Sequence, residues 1–383
     1  VAPDAAKEIN PMRRATWFAT AAASLLLLCS GDAARGEEIP KEFRPAIQKG
    51  LEWLRRNQNS NGSWAGPGGM YAVPMTALGG MAMLAEGSTL REGKYRDNIR
   101  KAADWLMARA QTNGLFGNPA SRTEGGSYMY GHGFSMLFLS SLVGEEDTER
   151  RRRELVRVLE NGAKYTRDAQ TTRGGWGYTS AKDGSNFDEG SVTITQVQGL
   201  RAARNAGIAV PTDAIKDAIK YLTDSTTADG GVQYSLAWGG GGGMGSGRPA
   251  LTAAAICCGF SAGEYNNDLV KKWFKYCRLH IPIPDGSRRM GHDEYTNYYF
   301  AQSVYVLGED RWAKMFPSDR ESDRLTWKKY RKGLFDELVR AQSSDGSWGA
   351  GNWTAQGIGQ VYVTALYVTI MQLDKAALPI YQR

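Results

Sequence analysis

The sequence predicts an all-α protein in which six helical hairpins close into an α/α toroid, an (α/α)6 barrel. The run Gln58-Asn59-Ser60-Asn61-Gly62-Ser63-Trp64 returns far along the chain as Gln342-Ser343-Ser344-Asp345-Gly346-Ser347-Trp348. Weaker copies recur between the two at a long, nearly fixed period, the mark of a repeat architecture. Each copy closes an amphipathic segment and opens a second, almost uncharged one, so every unit reads as a half-solvated helix followed by a buried helix.

Unit one carries Glu52, Arg55 and Arg56 around Leu51 and Leu54, then Gln58 and Trp64. Unit two runs from Trp105 through Gln111 to Phe116, about 53 residues later counted from glutamine to glutamine. Unit three keeps Tyr165, Gln170 and Trp176. Unit four retains Tyr221 and Asp229-Gly230-Gly231 but has neither the glutamine nor the tryptophan, and unit five keeps only Trp273 before the irregular stretch from His280 to Gly286. From Gln170 to Gln342 is about 172 residues, three steps of roughly 57, so both eroded units are needed and the count is six. The second segments are Val73 to Leu84, Gly133 to Leu142, Val192 to Ala203, Leu251 to Phe260, Tyr298 to Leu307 and Val361 to Leu373, rich in Ala, Leu, Thr and Ser. Six hairpins that each hide one helix behind the other can form two concentric rings around a central cavity; an open solenoid is the competing arrangement. Gln58, Trp64, Gln111, Gln170, Trp176, Gln342 and Trp348 are expected as structural staples, with an indole over the glutamine amide and the amide satisfying backbone groups at helix ends.

The pattern Lys49-Gly50-x-x-Trp53-Leu54-x-x-x-Gln58-x-x-x-Gly62-x-Trp64, matched nearly as well from Lys332-Gly333 to Trp348, resembles the repeat of the prenyltransferase and squalene-cyclase superfamily over about residues 40 to 375. The resemblance implies an α/α toroid; the superfamily includes class II terpene cyclases, protein prenyltransferase β subunits and thioester-containing complement domains. The signatures of those branches are missing. No Asp-x-Asp-Asp string exists to protonate an alkene, no Asp-x-Cys precedes Cys277 and His292 to hold zinc, and no Gly-Cys-Gly-Glu-Gln string supplies a thioester. With His132, His280 and His292 as the only histidines, no metal site and no cofactor are expected.

Inner helices of a toroid run the same way, so the residues before them gather on one rim. That rim is expected to collect Met70 and Tyr71; Tyr128, Tyr130 and His132; Asp183, Asp188 and Glu189; Arg248; His292, Asp293, Glu294 and Tyr295; Trp353 and Gln356. Aromatic and acidic groups together suit a largely apolar ligand bearing one polar or cationic feature. Tyr71, Tyr130, His132, Arg248, Tyr295, Trp353 and Gln356 are the candidate ligand-binding residues. Asp188, Glu189, His292, Asp293 and Glu294 are the candidate catalytic ones, since burial can raise a carboxyl pKa. Acids ahead of a helix also serve as N-terminal caps, and both readings stand. The glycine run from Gly239 to Gly247 lacks the Gly-Lys-Ser/Thr ending of a phosphate loop and reads as a flexible lip. Arg150 to Arg153 read as the mixed-charge start of a solvated helix.

Residues 1–36 read as upstream residues followed by a secretory signal starting at Met12: Arg13 and Arg14, an apolar run from Ala15 to Leu28, then small Ala33, Ala34 and Gly36. A periplasmic or secreted protein follows. Anchoring through Cys29 is disfavoured because Leu28 stands where a small residue is required. Residues 40–375 form the toroid and 376–383 a C-terminal tail. No transmembrane helix is expected in the mature chain, and Cys257, Cys258 and Cys277 imply no disulfide framework. The net charge of +7 is interleaved with acids and shows no basic-aromatic stripe, which argues against nucleic acid. The expected function is binding of an isoprenoid or other lipid-like ligand, or of a partner protein, without standard cyclase or prenyltransferase chemistry. The alternatives are a polysaccharide lyase or hydrolase on the same barrel, or an atypical terpene cyclase.

Overall fold

A computed structural model describes residues 37–124, 126–184, 186–237, 245–283 and 293–382. The expected signal segment with Cys29, His292, and most of the glycine run lie outside the described residues, as does the side chain of Asp293. Thirteen α-helices form and no β-strand does among the described residues: α1 (Arg44–Arg56), α2 (Ala72–Ala85), α3 (Arg96–Met107), α4 (Tyr128–Ser140), α5 (Glu149–Asp168), α6 (Gly190–Asn205), α7 (Thr212–Asp224), α8 (Pro249–Ala262), α9 (Asp268–His280), α10 (Asp293–Met315), α11 (Trp327–Ala341), α12 (Trp353–Gly357) and α13 (Gln360–Ile370).

The six inner helices pack in the cyclic order α2, α4, α6, α8, α10, α13 and back to α2, so the ring is closed rather than an open spiral. Four of them, α2, α4, α8 and α13, are largely apolar all round, whereas α6 and α10 also bury polar residues such as Gln196, Gln198 and Gln302. In α2 every residue from Met75 to Ala85 is buried, whereas outer α1 buries only the stripe Ala46, Ile47, Gly50, Leu51, Trp53 and Leu54. Helix α10 turns at Gly308, whose φ of 63° ends the inner segment and starts a short outward one.

The repeat glutamines and tryptophans hydrogen-bond to backbone carbonyls in the loops and at the ends of the outer helices. Each indole donates to a carbonyl at the end of its own outer helix: Trp64 to Leu54 at 2.8 Å, Trp176 to Thr166 at 2.7 Å and Trp348 to Leu338 at 2.7 Å. The amide of Gln58 donates to Gly62 O and to Asn98 O in the first turn of the next outer helix. Gln170 does the same to Gly174 O and Ala214 O, and Gln342 to Gly346 O and Ala46 O. The bond from Gln342 to Ala46, at 2.9 Å, closes the ring. Gln111 reaches only its own loop, at Gly117 O. The loop glycine has its own cause. Gly346 lies at φ 96°, and a Cβ there would stand 2.5 Å from the Lys49 carbonyl oxygen; Gly62, Gly114 and Gly174 meet the next outer helix the same way.

Arg151 pairs with Asp104, and Arg152 and Arg153 lie near Glu149, consistent with a mixed-charge helix start. Cys257, Cys258 and Cys277 are free and buried. No helix among the described residues is long and apolar enough to cross a membrane.

Residues 376–382 are a strap under the ring. Asp374, fully buried, anchors it to Arg331 and to the Trp327 indole, both at 2.5 Å. Ala376 then turns through the left-handed region at φ 48°. Beyond it Leu378 and Tyr381 are buried, and the Tyr381 hydroxyl meets that of Tyr298 at 2.8 Å. Pro379, Ile380 and Gln382 cover a void of about 40 Å³ that Cys257 also lines. Burial pushes the Cys257 thiol up to about 12. Truncation after Ala376 is expected to raise maleimide labelling of Cys257 at least about ten-fold, leaving Cys258 and Cys277 protected, as read by peptide mass mapping. Unchanged protection of Cys257 would show that the strap covers nothing.

Candidate functional site

The inner helices present their N-terminal turns to one rim, and a cavity of about 540 Å³ opens there. From α2 come Tyr71, Pro74, Met75 and Leu78; from α4, Tyr130 and Phe134; from α6, Glu189 and Ser191; from α8, Arg248 and Leu251; from α10, Glu294 and Tyr295; from α12 and α13, Ile358 and Tyr362. Tyr178 and Tyr234 reach in from the loops ahead of α6 and α8.

Tyr71 enters α2 with φ 57° and ψ 34°, a left-handed conformation costly for a residue with a Cβ. Its backbone N–H donates to Thr123 O and its carbonyl accepts from Met75 N, so both neighbours fix the strained turn at the mouth.

Glu189 caps α6 and walls the cavity at once. Its Oε2 accepts from Val192 N at 3.0 Å, from the Ser191 hydroxyl and, at 3.4 Å, from the Tyr130 hydroxyl. The residue is 1 % exposed, and burial raises its carboxyl above the ordinary range although these donors pull the other way. Burial beside Glu189 likewise pushes the Tyr130 hydroxyl well up. The hydroxyls of Tyr178 and Tyr234 bond to one another, and the Arg248 guanidinium lies 4.6 Å over the Tyr234 ring. Glu294 is 2 % exposed beside Tyr295.

Tyr71, Tyr130, Glu189, Arg248, Glu294 and Tyr295 thus share one cavity. Four other candidates do not line it. His132 faces the outer layer, where its Nδ1 accepts from Phe116 N at 3.2 Å and its Nε2 meets Thr166 Oγ1 at 2.9 Å. Asp188 turns into the wall, pairing with Arg173 and accepting from Ser235 Oγ at 3.0 Å and Leu236 N at 2.7 Å. Trp353 is 59 % exposed, and Gln356 is exposed as well. Tyr128 bonds Asp183 and Ser180 N instead of facing the opening. No cluster of three or more metal-ligating side chains occurs among the described residues.

Tyr178 and Tyr234 escaped the sequence reading. Both stand two residues past the slot that tryptophan fills in the strong units, Trp176 in unit three and Val232 in unit four. Val232 holds that slot, since its N–H donates to Thr252 Oγ1 just as Trp176 N donates to Thr193 Oγ1. Aligning the units on the loop glycines would have placed both tyrosines at one height.

Residues 33–136 match the squalene-hopene cyclase C-terminal domain family. Human (Homo sapiens) lanosterol synthase is 32 % identical over 93 residues, which cover 24 % of this chain and 13 % of that enzyme. An inactive variant of the α-1,6-mannanase GH76A of Salegentibacter sp. HEL1_6, in complex with α-1,6-mannotetrose, superposes with a TM-score of 0.61 at 11 % identity, covering 87 % of this chain and 98 % of that one. A variant of the type II terpene cyclase MstE from Scytonema, in complex with geranylgeranyl dihydroxybenzoate, gives 0.52 at 16 % identity over 88 % and 98 %. Terpene cyclases and a glycoside hydrolase therefore share this fold, and at these identities the likeness extends to the fold alone. By its family match over residues 33–136 and by its closed ring of six hairpins, the chain is similar to the squalene-cyclase repeat proteins and has a terpene cyclase-like α/α toroid fold.

Proposed function

We propose that this ring is an exported binding protein that receives an isoprenoid or other lipid-like chain in its central cavity, without the standard cyclase or prenyltransferase chemistry. The wall composition carries the reading. Tyrosine faces join Phe134, Met75, Leu78, Leu251 and Ile358 around about 540 Å³, a volume and chemistry suited to a small apolar ligand. Burying an apolar chain there gains about 25 cal/mol for each Å² removed from water. Glu189, Glu294 and Arg248 add a polar edge that can orient one polar or cationic feature. A concave, mostly apolar cavity of this size favours such a ligand over a partner protein.

Protein purified from its own cells, extracted with organic solvent and analysed by mass spectrometry, is expected to release an isoprenoid-type chain. Leu251→Trp, whose indole would fill the cavity, is expected to release little. Equal release from both proteins, or none from either, refutes the reading.

A second reading, an atypical cyclase, draws on Glu189, a buried acid with a raised pKa in an aromatic wall. It fails if squalene-like substrates come back unchanged. The carbohydrate-active alternative keeps Glu189 and Glu294 as its acid and base, because Asp188 is engaged by Arg173.

A further inference from the structure

The polar groups lining the cavity divide between two sides of the ring. On the α4, α6 and α8 side they engage one another: Glu189 accepts from Val192 N, Ser191 and Tyr130, the Tyr178 and Tyr234 hydroxyls meet, and Arg248 lies over the Tyr234 ring. The α10, α12 and α13 side differs. Glu294, Tyr295 and Thr354 all line the cavity there, yet the hydroxyls of Tyr295 and Thr354 have no hydrogen-bond partner. The Glu294 carboxylate has neither a hydrogen bond nor an ion pair among the described residues. Glu294 and Thr354 are each only 2 % exposed. Tyr362 on α13 lines the same side, and burial together with the nearby Glu294 carboxylate pushes its hydroxyl up. Arg248 is the one basic side chain lining the cavity among the described residues, and it forms no ion pair with Glu294.

A carboxylate taken out of water and left unpaired costs more than an unpaired neutral group. Only a donor relieves it. A fatty carboxylate or a phosphate would repel it, and an alcohol brings one donor and no charge. A protonated amine brings three donors with a positive charge, and tyrosine faces attract that same charge. We propose that the α10–α13 side of the cavity, at Glu294, is a seat for the protonated amino group of a lipid-like amine whose chain fills the apolar remainder. Glu294 pairs with the ammonium, and Tyr295 and Thr354 offer hydroxyl oxygens on the same side of the wall. This rests on the lipid-binding reading and narrows it from polar lipids in general to cationic ones.

The test titrates farnesylamine and farnesol, one chain with two heads, into wild type, Glu294→Gln and Leu251→Trp near neutral pH. Wild type is expected to bind the amine at least about ten-fold more tightly than the alcohol, the worth of one charge-assisted hydrogen bond. Glu294→Gln should weaken the amine about ten-fold and leave the alcohol within about two-fold, whereas Leu251→Trp should weaken both. Ligand-free Glu294→Gln is expected to melt about 2–4 °C above wild type, because an unpaired buried charge is gone. A lower melting temperature, equal affinity of wild type for the two lipids, equal losses of both in Glu294→Gln, or amine binding that survives Leu251→Trp when farnesol binding does not, overturns the seat while lipid binding stands. Binding of neither lipid by wild type removes the lipid reading and the seat with it.

Discussion

Trp348→Ala is expected to cost about 3–5 kcal/mol of unfolding free energy, the range for deleting a large buried aromatic side chain. The indole is 1 % exposed and donates to Leu338 O, while the backbone N–H of Trp348 is held by Thr364 Oγ1. Its ring fills the space against Gly50, where a Cβ would come within 2.7 Å of it, and packs edge-on to Tyr367. Those neighbours belong to α1 and α13, the two sides of the seam where the last hairpin meets the first. Trp64→Ala removes a comparable staple inside the chain, where the flanking units stay tethered by sequence. At the seam only packing and a few bonds hold, among them Gln342 to Ala46 and the Trp53 indole to Asp345. The seam variant should therefore lose hydrogen-exchange protection in α1 and α13 ahead of α6, with the loss in stability read from urea titration. A cost below about 1 kcal/mol, the size of an ordinary surface change, or protection lost evenly around the ring, would mean that closure does not depend on this residue.

The repeat made the ring legible because its staples are local: glutamine, glycine and tryptophan each answer a backbone group within ten residues or on the next outer helix. Direction followed from that, since six like hairpins must present the same ends together, and Tyr71, Tyr130, Glu189, Arg248, Glu294 and Tyr295 meet accordingly. Which way a side chain turns within its helix was less legible. Asp188 and Glu189 are adjacent, yet one faces Arg173 in the wall and the other the cavity. Two consecutive residues entering a helix diverge by about 100°, and composition does not reveal which is inward. Trp353 read as a rim aromatic because of its place before an inner segment. A short helix, α12, intervenes there and leaves the indole largely outside.

His132 shows a third kind of ambiguity, resolved by comparing units. In units one, three, four and six a threonine of the inner helix takes the N–H at the tryptophan slot: Thr76, Thr193, Thr252 and Thr364. In unit two His132 holds that place and accepts from Phe116 N. An accepting Nδ1 leaves the proton on Nε2, which donates to Thr166 Oγ1, and that hydroxyl donates onward to Gly162 O. Protonating Nδ1 would set two donors face to face in a site with no water access, and burial pushes the pKa down from 6.5 to about 3. As pH falls below 6.5 the unfolded chain takes up this proton and the native protein does not. Stability therefore drops by about 1.4 kcal/mol per pH unit until the native ring also protonates. Between pH 7 and pH 4.5 the loss from this one residue is expected to be about 2–3 kcal/mol. His132→Thr, which restores the residue used by the other units, leaves a small void and lowers stability at neutral pH, but it lacks this slope. Glu189 works in the opposite sense: its raised pKa takes stability away as pH climbs through the window above 4.5. That term is common to both proteins and cancels in their difference. Urea midpoints at the two pH values should therefore converge between wild type and variant as the solution is acidified, and parallel curves would mean that His132 is not buried in its neutral form.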